Sequence, residues 1–397
     1  MMRELMIRNA SVFQEDGTFR QEDVCIREGR FEEAGTSGSD SVIVDAKGLM
    51  AIPGLVDIHF HGCMGYDFCD GTEEAIRQIA EYELREGITS IVPATMTFPE
   101  EKLGIIMESA AAFSQSAEGA GSSLIRKTEE SCTLLPCAAL RGINMEGPFI
   151  SMEKKGAQNP AYIVPPDADM FRRLQKKAEG LIRFCDIAPE TDGAMDFIRE
   201  LKDEVRISLA HTTADYDTAR EAFIHGACHV THLFNAMPPF SHRAPGVIGA
   251  AAENPDVIAE LICDGIHIHP SAVRAAFRLF GDERICLISD SMMATGLSDG
   301  EYTLGGQAVT VRGNLATLAD GTIAGSVTNL MDCLRTAVQK MGIPLESAVR
   351  CATINPARAA GIDDVCGSIR SGKCADLLLV DQDLQIKKMV FHGEILP

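Results

Sequence analysis

Residues 205–234 read VRISLAHTTADYDTAREAFIHGACHVTHLF, and the period of the apolar residues changes twice within them. VRISLA is a short apolar run with strand character. DYDTAREAFIHG has helical spacing and ends on Gly226, and CHVTHLF returns to a strand. Strand, helix and strand in that order indicate a parallel βαβ unit. A histidine follows each apolar run directly: His211 after the first and His232 after the second.

The same alternation extends in both directions. Upstream, TEEAIRQIAEYELREG (72–87) sets Ile76, Ile79, Ala80 and Leu84 on one helical face, with Thr72 placed to cap the helix and Gly87 to stop it. The β-branched run ITSIVPATM comes next. Downstream, VIAELIC leads to SAVRAAFRLFG, then ICLISD, and NLMDCLRTAVQKMG closes the series. The number of units fits a closed (βα)8 barrel better than half of an open sheet. Residues 1 to about 50, and the final CGSIRSGKCADLLLVDQDLQIKKMVFHGEIL, read instead as short strands and hairpins. Both ends are therefore expected in one small sheet domain. SQSAEGAGSSLIRKTEESC (114–132) reads as a surface connection.

Bulk properties narrow the partners. The 397 residues are 46% hydrophobic and 23% charged, which is ordinary for a globular chain with a sizeable core, but the net charge is −21. That field opposes nucleic acid and anionic membranes, while a small anionic substrate needs only a local cluster of donors. With no Trp and five Tyr, the chain offers no stacking platform for nucleic acid or glycan chains. MMRELMIRNASVF has no apolar core of signal-peptide length, and no run approaches the ~20 apolar residues that cross a bilayer. Thirteen cysteines without a Cys-x-x-Cys pair suit a reducing cytoplasm, where they serve as small buried hydrophobes.

In a barrel of this kind, chemistry sits where strands end. In PGLVDIHFHGCMG (53–65), His59 and His61 stand two apart, so in an extended strand they project to one side. Glu146 follows GINM, His211 follows ISLA, His232 follows CHVT and Asp290 follows ICLIS. One strand-end histidine alone reads as a hydrogen-bonded structural residue; for Asp290 the alternative is a helix N-cap, the lesser reading given its place after ICLIS. Five strand ends delivering imidazole and carboxylate to one face read as a catalytic Zn²⁺ or Fe²⁺ site. His225, His229, His242, His269 and His392 receive no role; His229, three before His232, is expected on the opposite side of its strand.

PGLVDIHFHG, NMEGPFISMEKKGAQNP, LAHTTAD, THLFNAMPPFSHRAPG, ICDGIHIHP, ISDSMMATG, GTIAGS and TINPARAAG occur in this order along nearly the whole chain. Together they resemble the N-acetylglucosamine-6-phosphate deacetylases of the amidohydrolase superfamily. The resemblance implies a distorted TIM-type (βα)8 barrel (54–360) and a small β-sandwich domain built from both termini (1–53 and 361–397). It implies Glu146, His211 and His232 as ligands of the catalytic metal. His59 and His61 match a pair that holds a second ion in some members, where others carry Gln and Asn, so one or two divalent ions per subunit are expected. Asp290 resembles the general base, and His267 the residue that steadies the oxyanion. Arg243, Asn235 and the backbone at Ala236 resemble the phosphate contacts, with Arg243 acting in its own or a neighbouring subunit. Gln158 stands at a substrate-contact position where some members have His. A cytoplasmic homodimer acting on a small amino-sugar phosphate follows.

Three other readings stay open. The sugar could be the 4-epimer, N-acetylgalactosamine 6-phosphate. The chain could be another amidohydrolase, although those often bridge two metals with a carboxylated lysine, and here Glu146 holds that position with Lys154 and Lys155 in the following loop. It could also be a non-catalytic sugar-phosphate scaffold, against which the retention of Glu146, His211, His232 and Asp290 counts.

Overall fold

A computed structural model describes residues 4–33, 41–116, 119–120 and 136–396. Most of the expected connection at 114–132 lies outside them. The alternation read from the sequence appears as two parallel sheets. One orders Leu55–Asp57, Ile88–Ile91 and Ala139–Leu140; the other runs Ile143–Met145, Ile182–Ile187, Arg206–Leu209, His229–Val230, Ile258–Ile262 and Ile285–Ile288 in chain order. These strands are short and buried at nearly every position because both of their faces are covered. Ile285–Ile288, for example, is buried at every residue.

The sheets meet at both edges. Ala94 bridges Asn144 in parallel on one side. On the other, Asp290 N donates to His59 O at 2.9 Å and His61 N to Ser291 O at 2.7 Å. Asp57 adds a side-chain tie, its Oδ2 accepting Ser289 Oγ at 2.6 Å and Ser289 N at 3.3 Å. The first and last parallel strands are thus held side by side, which brings the residues after them into one space.

Helices form the outer layer for local reasons. Glu73–Arg85 starts at Thr72, whose side chain accepts Ala75 N, and Gly87 follows in the left-handed region at φ 93°. Tyr216–His225 is capped by Asp215, and Leu330–Gln339 by Asn329. Each helix buries one apolar stripe, and a fully buried Leu or Ile contributes ~1.5–3 kcal/mol. Both ends of the chain join one eight-stranded sheet, in which Leu5–Phe13 pairs with Phe19–Arg27 and Leu377–Val380 pairs with Met50–Pro53. An antiparallel excursion, Gly300–Leu304, Gln307–Arg312 and Leu315–Thr317, intervenes between Asp290 and Leu330–Gln339. Of the twelve described cysteines all but Cys228 are buried, as small hydrophobes would be.

Candidate metal centre and active site

His59, His61, Glu146, His211, His232 and Asp290 come together, and all six are nearly or fully buried. Backbone shape brings three of them in. His211, His232 and Asp290 adopt φ values of 44°, 30° and 49°, so each chain turns sharply as its strand ends. Such conformations cost about 1–3 kcal/mol each and collect at functional sites.

Glu146 is the hub. Its Oε1 lies 3.0 Å from His211 Nε2, 3.1 Å from His232 Nε2 and 3.6 Å from His59 Nε2. Its Oε2 lies 3.4 Å from His61 Nε2. Gln158 Nε2 donates to that same oxygen at 2.7 Å, and Gln158 Oε1 accepts Thr97 N at 2.7 Å. Gln158 therefore lines the cavity with both ends of its amide engaged. Asp290 Oδ1 sits 3.3 Å from His61 Nε2 and 3.9 Å from His59 Nε2, aimed into the cluster rather than at a helix terminus.

This donor set fits a divalent cation. His211 Nδ1 meets the carbonyl of Lys154 at 2.8 Å and must donate to it, which leaves the Nε2 of a neutral ring as a lone pair. That lone pair faces the oxygen of Glu146 and, at 3.2 Å, His232 Nε2. Acceptors converging on acceptors require either protonated rings or a cation between them. His59 Nε2 is buried with no hydrogen-bond partner at all, an arrangement that costs about 1–3 kcal/mol unless something fills it. Two donor groups of metal-binding size result, His59–His61–Glu146 and Glu146–His211–His232, and they share Glu146.

The charges respond accordingly. Burial alone would raise the Glu146 carboxyl, but the close approach of the His211 and His232 rings and the charge of His59 hold it well below the usual range. Burial opposes charge on His59 too, yet Glu260, Glu146 and Asp290 raise it well above an ordinary imidazole. Asp290 is also held low: its burial is outweighed by the hydrogen bond from His61 and the charges of His59, His61 and His232.

A cavity of about 490 Å³ opens above the cluster, lined among others by His61, Glu146, Lys155, Gln158, Asn235, Ala236, His267 and Asp290. His267 Nδ1 lies 2.7 Å from Asp264 Oδ2, and His267 N donates to Asp264 Oδ1 at 2.9 Å, so Asp264 fixes the ring. Asn235 Nδ2 donates to His232 O at 3.2 Å, tying the cavity wall to the cluster. Arg243 is exposed and is not among the residues lining this cavity. His269 accepts Ser271 N and caps Pro270–Phe280.

His229 corrects the expectation from strand parity. It is buried, with Nε2 3.1 Å from Glu260 Oε1, and is connected through Glu260 to the cluster. Strand geometry stops at Val230 and His232 turns left-handed, so alternation no longer relates the two histidines. Glu260, Asp264 and Gln158's hold on Glu146 were not anticipated. The signal for Glu260 was a carboxylate inside the apolar run VIAELIC. A third donor group, Cys374, Asp376 and His392, lies near the chain's end. Arg141 Nη2 stands 3.9 Å from Cys374 Sγ, so that group already has a cation beside it.

A curled parallel sheet with imidazole and carboxylate groups gathered at its strand ends defines the amidohydrolase class, and the Amidohydrolase family model matches residues 50–396. The chain belongs to the amidohydrolase family. Over 401 residues it is 36% identical to the N-acetylglucosamine-6-phosphate deacetylase of Bacillus subtilis, an alignment covering 100% of this chain and 98% of that one. The N-acetylgalactosamine-6-phosphate deacetylase of Escherichia coli O157:H7 is 32% identical over 344 residues, 86% of each chain. Among solved structures, a mutant N-acetyl-D-glucosamine-6-phosphate deacetylase of Mycobacterium smegmatis in complex with N-acetyl-D-glucosamine 6-phosphate superposes with a TM-score of 0.87. It is 32% identical, and the match covers 99% of both chains. Within the family the chain therefore stands with the N-acetylglucosamine-6-phosphate deacetylases.

Proposed function

We propose that this chain is a metal-dependent deacetylase that hydrolyses N-acetyl-D-glucosamine 6-phosphate to D-glucosamine 6-phosphate and acetate. The observation that carries the reading is the Glu146 carboxylate between two histidine pairs, with Asp290 3.3 Å from His61, on the floor of a cavity. The full-length likeness to deacetylases of this sugar phosphate supports the substrate.

Glu146, His211 and His232 would hold one divalent ion, Zn²⁺ or Fe²⁺, and His59 and His61, with Glu146, would hold a second. When bound, such an ion supplies Lewis acidity, making water a nucleophile near neutral pH and polarising a carbonyl. The chain's own groups do the rest. Asp290 is ionised and takes the proton of the attacking water, then returns it to the amine nitrogen, which otherwise leaves poorly. His267, whose Nδ1–H is held by Asp264 and whose charged form Asp264 favours against burial, donates its second N–H, from Nε2, to the acetyl oxygen as negative charge develops there. Asn235 and the backbone at Ala236 receive the phosphate, and Arg243, exposed outside the cavity, serves it from its own or a neighbouring subunit. Gln158 keeps Glu146 in place at the edge of the substrate.

The two parallel sheets compose a distorted (βα)8 barrel over 54–360, a reading supported by the hydrogen bonds at both of their shared edges. Residues 1–53 and 361–397 make the small β-sandwich domain. The protein works as a cytoplasmic homodimer; no helix among the described residues is long and apolar enough to cross a membrane. Acetate release from N-acetylglucosamine 6-phosphate, measured before and after treatment with a chelator, tests the reading. Release that stops with metal removal and returns with Zn²⁺ is expected; release indifferent to the chelator would refute the metal-dependent mechanism.

A further inference from the structure

Glu260 lies in the middle of Ile258–Ile262, fully buried in an otherwise apolar strand. A carboxylate there loses several kcal/mol of hydration and needs dedicated partners. It has three. Oε2 accepts from His59 Nδ1 at 2.9 Å and from His232 N at 3.1 Å, and Oε1 meets His229 Nε2 at 3.1 Å. Contacts on both oxygens, from His59 on one segment and His229 and His232 on another, fix the orientation of the group.

We propose that Glu260 is the positioning residue that makes His59 a metal ligand and so prepares the His59–His61–Glu146 group for a second divalent ion, an inference that rests on the metal-dependent reading above. An imidazole that gives its Nδ1–H to a carboxylate keeps its lone pair on Nε2 and gains basicity there. His59 Nε2 is the buried atom without a partner, 3.6 Å from Glu146 Oε1. Among the described residues, no other histidine of the cluster has a carboxylate hydrogen-bonded to its Nδ1. His211 gives Nδ1 to the Lys154 carbonyl, while His61 and His232 have no partner at Nδ1. The contact from Oε2 to His232 N adds a mechanical link, since one carboxylate oxygen sets the spacing between a ligand of each group.

The test is Zn²⁺ stoichiometry and affinity, by mass spectrometry on protein purified without chelator and by calorimetric titration of the metal-free enzyme. The wild type is expected to bind two ions per chain. E260Q keeps an acceptor but loses the charge; it should retain one ion and bind the second about 10–100-fold more weakly. In an H59N background, E260Q should cause no further loss, because the effect passes through His59. Should E260Q fold poorly, ¹⁵N spectra of the Zn²⁺-loaded wild type decide the point, and His59 protonated at Nδ1 and ligating through Nε2 is expected. E260Q binding two ions at wild-type affinity, or His59 protonated at Nε2, would overturn the proposal. One ion per wild-type chain, unaffected by E260Q, would overturn it while leaving the metal-dependent reading intact. No ion in any form would overturn both.

Discussion

In the proposed reaction Asp290 has to accept a proton and then release it, within 3.3–3.9 Å of two imidazoles that favour its ionised form. The structure resolves the conflict by making it acceptor first: the carboxylate is ready to take a proton, and the departing amine is a stronger base than the carboxylate that gives it back. Asp290→Asn preserves shape and removes the base. It should lower kcat for acetate release about 10²–10⁴-fold, the usual range for general acid–base catalysis, with little change in Zn²⁺ content. Loss of metal along with activity would instead make Asp290 principally a ligand. Asp290, Glu146, His211 and His232 were legible in the sequence because each stands directly after an apolar strand, where sequence position fixes place. Glu260 was not, because a residue inside a strand faces the core or the helices according to register, which one strand's sequence does not settle.

At the level of the element, the turn after a strand does as much as the strand. Glu146 is followed by Gly147 at φ 79°, and a Cβ there would lie 2.2 Å from Thr97 Oγ1. Thr97 in turn donates its N–H to Gln158, whose amide holds Glu146. Gly147→Ala should therefore cost about 1–3 kcal/mol from backbone conformation, more for the clash, and weaken metal binding through Gln158. Gly48 is the control: φ is 83° but nothing lies within 4 Å, so Gly48→Ala should carry only the conformational cost and leave Zn²⁺ affinity unchanged. Thermal denaturation with Zn²⁺ titration separates the two; equal Zn²⁺ affinities would contradict the Thr97–Gln158–Glu146 link. Helices such as Glu73–Arg85 were legible through their caps at Thr72 and Gly87. The antiparallel excursion at 300–317 was not, because the reading passes from ICLISD straight to the next helical period, and strands as short as Leu315–Thr317 carry too few residues to show an alternation.

For the whole molecule, the gathered charges set the pH dependence of stability. His59 and His61, despite burial, are raised by Glu260, Asp290 and Glu146. Their contribution is complete below the ordinary imidazole value and is lost as the pH rises through the raised one. Asp57, buried and pushed up to about 7, acts in the same direction, since folding takes up a proton between its ordinary value and 7. Glu146 and Asp290 are held low, so their contribution is present above the ordinary carboxylate range and lost as the pH falls through their lowered values. The metal-free protein should thus be most stable in mildly acidic solution and lose stability from about pH 5 to pH 8. Metal binding requires deprotonated ligands, so Zn²⁺ should restore progressively more over that interval. Melting temperatures with and without chelator would check this, and a metal-free protein that gains stability toward pH 8 would contradict it.

The central claim is the reaction, and acetate release tests it most directly. N-acetylglucosamine 6-phosphate, its 4-epimer and unphosphorylated N-acetylglucosamine should be compared side by side, with the Asp290→Asn variant as control. Rapid release from the phosphorylated glucosamine, far slower release from the other two and near-complete loss in the variant are expected. No release from any of the three by the metal-loaded protein would contradict the deacetylase assignment, and faster release from the epimer would move it to N-acetylgalactosamine 6-phosphate.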